Sequence, residues 1–100
     1  MKRVEVDPGV CGFKAVVEAQ AQADGRVALT VHTDCALVRE FAATNQVVDP
    51  LAALHCRDGS RLLTHPCHTT CLVPLAVLKA VEAEAGLALP RDGAIRFVAT

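Results

Sequence analysis

The segment HPCHTTCLVP, His65 to Pro74, sets Cys67 and Cys71 four positions apart with His65 and His68 beside them. Thiolate sulfur and neutral imidazole nitrogen are the donors that hold Zn²⁺, and thiolates also hold iron–sulfur clusters. Two more cysteines stand where elements should meet. Cys11 follows the turn sequence Asp7-Pro8-Gly9, and Cys35 follows a strand-like run and opens a helix. Cys67 falls in the loop before a long apolar helix, and Cys71 at that helix's first position. Unpaired N–H groups at a helix N-terminus favour thiolate over thiol, so Cys35 and Cys71 are both expected to be activated donors. With Cys11 and Cys67 they make a candidate four-cysteine site for zinc or an iron–sulfur cluster. His68 is the reserve ligand for a Cys3His zinc set.

The spacing excludes several familiar frameworks. A zinc ribbon shows two C-x2-C knuckles and a bacterial ferredoxin shows C-x2-C-x2-C, whereas this chain has C-x3-C with its other candidate ligands far away in sequence. A thioredoxin-like C-x2-C is absent, as is the second Cys-x2-His of a Rieske centre. A thiolate enzyme or redox sensor using Cys71 or Cys67, with His68 or His65 as base, is the second reading. The third is purely structural, because a free cysteine also behaves as a small buried hydrophobe. Cys56, at the end of the apolar run LAALHC, fits that last description. His32 falls on a polar strand face and His55 at a helix end, where an imidazolium complements the dipole. Glu82 and Glu84 read as the solvated edge of a helix. No G-x-S-x-G, Walker loop or G-x-G-x-x-G occurs.

These residues must be positioned by short elements. Lys2 to Val6 alternates polar and apolar residues, the period of a half-buried strand, and Asp7-Pro8-Gly9 ends it with turn chemistry. Phe13 to Thr33 reads as two strands around Asp24-Gly25. A two-residue loop there would mix apolar and polar side chains on one face. A three-residue loop, Asp24 to Arg26, sets Leu29 against Ala21 and Val31 against Ala19. The core face is then Phe13, Ala15, Val17, Ala19, Leu29 and Val31. Thr33 and Asp34 are expected to cap a helix over 35–44, with Leu37, Val38 and Phe41 at helical spacing. Asp49-Pro50 starts a shorter helix, and Arg57 to Ser60 forms a turn.

A longer helix runs from about Cys71 to Ala85, capped by Thr69 or Thr70, with Pro74 in its first turn and Gly86 as its C-terminal cap. It is expected to be the most buried helix. Pro90 to Gly93 leads to a final strand over 94–99, AIRFVA, returning beside the first strand. The order β-β-β-α-α-α-β predicts one α+β domain over residues 1–100, a mostly antiparallel four-stranded sheet with helices packed on one face.

Composition bounds the function. A chain of 100 residues can bury roughly 65% of its unfolded surface without disulfides. Only three aromatics, all Phe, leave no base-stacking platform, and a net charge of −1 without a basic run gives no source of attraction to phosphate backbones. Nucleic acid is therefore not the expected partner. No run reaches the length of a membrane span, and no apolar run follows Lys2-Arg3 as in a secretory leader. Five cysteines without a leader point to a reducing cytoplasm. So apolar a composition in so small a chain also suits a homodimer.

The CGF sequence near the start, Cys35 after a strand, HPCHTTC, and CLVPLAVLKAVEAEAGLALP together resemble a family of small, uncharacterised prokaryotic domains with spaced cysteines. The resemblance spans nearly the whole chain and implies a discrete cysteine-bearing domain with no assigned activity. Similarity to the A-type iron–sulfur carriers fails, because their C-terminal C-G-C pair is missing.

Overall fold

The computed structural model describes residues 1–55, 67 and 70–100. Three antiparallel strands come first, β1 (Lys2–Val6), β2 (Ala15–Ala21) and β3 (Val27–Thr33). Then follow helix α1 (Ala36–Thr44), a two-residue strand β4 (Val47–Val48), a short helix α2 (Pro50–Leu54) and the long helix α3 (Val73–Glu84). The fold is α+β, with a four-stranded antiparallel sheet in the order β1-β2-β3-β4 and the helices sharing one hydrophobic core with it.

The alternation in β2 and β3 decides which face is covered. Ala15, Val17 and Ala19 are buried from β2, and Val27 and Leu29 from β3. The observed register pairs Ala19 with Leu29 and Val17 with Val31, two residues away from the expected one. The loop is Ala23 to Gly25, closed by the Gln22 N–H donating to the Arg26 carbonyl at 2.8 Å. Asp24 causes the shift. Its carboxylate accepts the Arg26 backbone N–H at 3.0 Å and the Arg26 Nε at 2.7 Å, so the Arg26 N–H is satisfied within the turn while its carbonyl closes the loop on Gln22. A slip of two preserves side-chain parity, so the predicted core face survives. Phe13 is the exception. Pairing begins only at Ala15, and Phe13 is left exposed in the preceding loop.

Helix α3 lies across β1 and β2 and is the most buried of the described helices. Val73, Val77 and Val81 recur every four residues and are fully buried, with Ala76 and Ala80 beside them. Each fully buried valine contributes about 1.5 kcal/mol or more. The small alanines on both surfaces, Ala15 and Ala19 on the sheet and Ala76 and Ala80 on the helix, leave room for the valines. Helix α1 adds Val38 and Phe41, and Phe41 is the one aromatic side chain in the core cluster.

Helix ends follow the expected chemistry in part. Asp49 caps α2, accepting the Leu51 N–H at 3.0 Å and the Ala52 N–H at 3.4 Å. Gly86 ends α3 at φ +76°, its N–H donating to Ala83 and that of Leu87 to Glu82, the paired bonds of a Schellman motif. The start of α3 differs from expectation: Leu72 is the N-cap residue and no side chain caps it. Pro74 carries no N–H, so the first turn has one donor fewer to satisfy, and the Leu72 carbonyl already accepts from Ala76 at 2.9 Å.

The fourth strand is not the expected one. Val47–Val48 pairs with β3, Val27 opposite Val48 and Ala28 opposite Val47. Residues 94–99 form no strand and are wholly exposed. A strand exists only through a neighbour's hydrogen bonds, and none of the described residues lies beside this segment in a ladder. The turn expected at Arg57 to Ser60, and the start of the segment around His65, lie outside the described residues.

Candidate functional site

The strand pairings define two ends of the sheet. Val6, Ala15 and Thr33 are aligned at one end, and Lys2, Ala21 and Val27 lie toward the other. The connection carrying Cys11 leaves β1 after Val6, and Cys35 comes two residues after Thr33, so both belong to the first end. Helix α3 ends at Glu84, whose carboxylate reaches Ala21 and Lys2 at the second end. Its start, with Cys67 and Cys71 just before it, is therefore also at the first end. The topology thus gathers the junctions that carry Cys11, Cys35, Cys67 and Cys71 at one end of the sheet.

Three of these cysteines border the same core. Cys67 is 7% exposed, and Cys35 and Cys71 pack against the core partly buried. The Cys67 thiol faces the Leu37 carbonyl oxygen at 4.0 Å, which sets it against the first turn of α1. Burial pushes its pKa up from 9.0 to about 11, and the neighbouring sulfurs of Cys71 and then Cys35 push in the same direction. Cys67 is accordingly a protonated thiol at neutral pH in the metal-free chain.

Cys35 is the N-cap residue of α1, in extended backbone at ψ 119°, and no side chain satisfies the N–H groups behind it. Thr33 and Asp34 are not the caps. Thr33 Oγ1 instead accepts the Cys35 N–H at 3.2 Å, which turns the chain from strand to helix. Arg39 donates from its guanidinium to the Asp34 carbonyl at 2.9 Å, anchoring a positive charge one residue from Cys35. Cys71 stands two residues before α3 rather than in its first turn.

Cys11 shares the end of the sheet but not the cluster. It is exposed, in a turn closed by the Gly12 N–H donating to the Gly9 carbonyl at 3.0 Å, with both glycines at positive φ. Among the described residues no three His, Cys, Asp or Glu side chains already stand as a metal-ligand set. His65, His68 and Cys56 lie outside the described residues. His55 closes α2, its backbone N–H donating to the Leu51 carbonyl at 3.1 Å.

Sequence reasoning missed two polar arrangements. Glu84 is not a solvated helix edge: its side chain is only 7% exposed and accepts the Ala21 N–H at 2.7 Å. On the open face of the sheet, Glu18 accepts from Arg3 at 2.9 Å and meets His32 Nε2 at 2.6 Å, linking three strands. The hydrogen bond with His32, then that with Arg3, holds the Glu18 carboxyl below its ordinary range. Register is the signal for this row, because Arg3 pairs with Glu18 and His32 is opposite Val16.

Fold and site together define a small α+β domain that presents cysteines at one end of an antiparallel sheet. The chain belongs to a family of unknown function, DUF6951, whose model matches residues 2–97. Comparison with curated proteins and with solved structures gave no match.

Proposed function

We propose that the domain binds a thiophilic metal, zinc or an iron–sulfur cluster, through Cys35, Cys67 and Cys71, with Cys11 supplying the fourth thiolate. One observation carries this reading: the Cys67 thiol, set against the first turn of α1, lies near enough to Cys71 and Cys35 to feel both, at the end of the sheet where Cys11 also lies. An all-sulfur donor set selects zinc or iron–sulfur over magnesium or calcium. When bound, the metal cross-links the α1 and α3 starts and holds Cys67 as thiolate. The chain's own contributions are the uncapped α1 N-terminus and Arg39, which offset the charge of clustered thiolates. His68 takes the fourth position if Cys11 does not. A reducing compartment such as the cytoplasm keeps such thiols free.

The test is elemental analysis with an absorption spectrum on protein prepared without oxygen. Stoichiometric zinc or iron is expected, falling in Cys71→Ser and Cys67→Ser. Metal-free protein that is nonetheless monodisperse and stably folded would overturn the proposal.

A thiol-chemistry reading has one observation of its own. The raised Cys67 pKa counts against Cys67 as the nucleophile, so this reading rests on Cys71. It predicts rapid alkylation of Cys71 in metal-free protein, and slow alkylation there removes it.

A further inference from the structure

Residues 94–99 carry a strand's sequence with no strand beside them among the described residues. Ile95 and Phe97 alternate with Arg96, yet every residue from 89 to 100 is exposed, including Ile95, Phe97 and Val98. Clustered exposed apolar side chains of this size mark an interface more often than a solvated tail. Elsewhere on the same molecule β1 is the outermost strand, and its outward N–H and C=O groups have no strand partner among the described residues. An open edge of that kind is a template for another strand.

The arm is poorly placed for its own β1. Gly93 lies against the Lys79 side chain, and Lys79 with Leu75 forms the exposed stripe of α3. The arm thus departs from the solvent face of the helix whose opposite face covers β1 and β2. We infer that residues 94–99 add to the β1 edge of a second copy, and that the exchange is reciprocal, giving a homodimer. Side-chain chemistry fits an antiparallel register with Ile95 opposite Val6, Arg96 opposite Glu5 and Phe97 opposite Val4. Val4 and Val6 pair with the buried Val17 and Ala15, so Ile95 and Phe97 would extend the covered face. Arg96 and Glu5 would meet on the other face, and neither has an ion-pair partner among the described residues. No cysteine takes part, so this inference stands apart from the metal reading.

Size-exclusion chromatography with light scattering on the full chain, in reductant, tests it. A species of twice 10.5 kDa is expected. Phe97→Asp should weaken the dimer roughly tenfold or more, as removal of a central aromatic contact does. Arg96→Glu should weaken it too, and adding Glu5→Arg should restore it. Because the arm is exposed along its length and Glu5 is an exposed position of β1, these variants leave the folded body intact, which far-ultraviolet circular dichroism checks. A monomer at every concentration, a dimer indifferent to Phe97→Asp and to loss of residues 94–100, or a charge swap that restores nothing would overturn the inference.

Discussion

The carboxylate of Glu84, the last residue of α3, accepts the backbone N–H of Ala21, the last residue of β2, at 2.7 Å. Residues 15, 17, 19 and 21 turn their N–H groups toward β1, because Gln22 beside them bonds to β3. The pairing of β1 stops at Lys2 opposite Ala19, which leaves the Ala21 donor with no backbone acceptor. Glu84 supplies one, and Lys2 approaches the same carboxylate at 3.9 Å. Helix and sheet are thus joined at the end opposite the cysteines.

Glu84→Ala should lower the melting temperature by several degrees in a calorimetric scan, and Glu84→Gln by less, because an amide oxygen still accepts. The Ala21 hydrogen bond first, then the nearby cationic groups, holds the Glu84 carboxyl below its ordinary 4.5. A carboxyl lowered in the folded state adds stability above its unfolded pKa and loses it as pH falls through the folded value. Stability of the parent chain should therefore decline below about pH 4.5, and Glu84→Gln should show a shallower decline. The Glu18 row supplies the part that remains in the variant.

Phe41, on the face of α1 that packs toward β3, is the one aromatic in the core and is fully buried. Phe41→Ala should cost about 3–5 kcal/mol, a large part of the 5–15 kcal/mol typical of a domain. Phe41→Leu should cost about 1.5 kcal/mol or less, because neighbouring valines and alanines can close on it. Urea midpoints measure both.

The strands and helices that bury a whole face were legible in the sequence. Lys2–Val6 and the helix over 36–44 stand where alternation and helical spacing put them, and Gly86 and Asp49 act as the caps their types predict. What failed was whatever depends on a partner. Val47–Val48 is too short to show a period, and AIRFVA has the period without the neighbour. The hairpin register turned on whether Asp24 holds Arg26 inside or outside the loop, a two-residue difference that side-chain parity cannot detect. Junction placement of Cys11, Cys35 and Cys71 was readable, because turn residues precede Cys11 and a helical period begins just after Cys35 and Cys71. That Cys67, rather than Cys11, lies near both Cys35 and Cys71 was not, since it follows from the direction in which α3 crosses the sheet.

The Cys67 thiol gives a prediction that separates the metal-free chain from a loaded one. Its pKa of about 11, against an ordinary 9.0, arises first from burial and then from Cys71 and Cys35. Raised in the folded state, this group contributes stability below pH 9 that is lost as pH climbs through about 11. Two pKa units correspond to about 2–3 kcal/mol at full titration. Metal-free protein should accordingly show a falling urea midpoint across that window, and Cys67→Ala should flatten it while removing only a small buried side chain. Protein with metal on Cys67 has no proton there to lose, so its midpoint should stay level over the same range. A falling midpoint in Cys67→Ala as steep as in the parent would show that another group carries the alkaline loss.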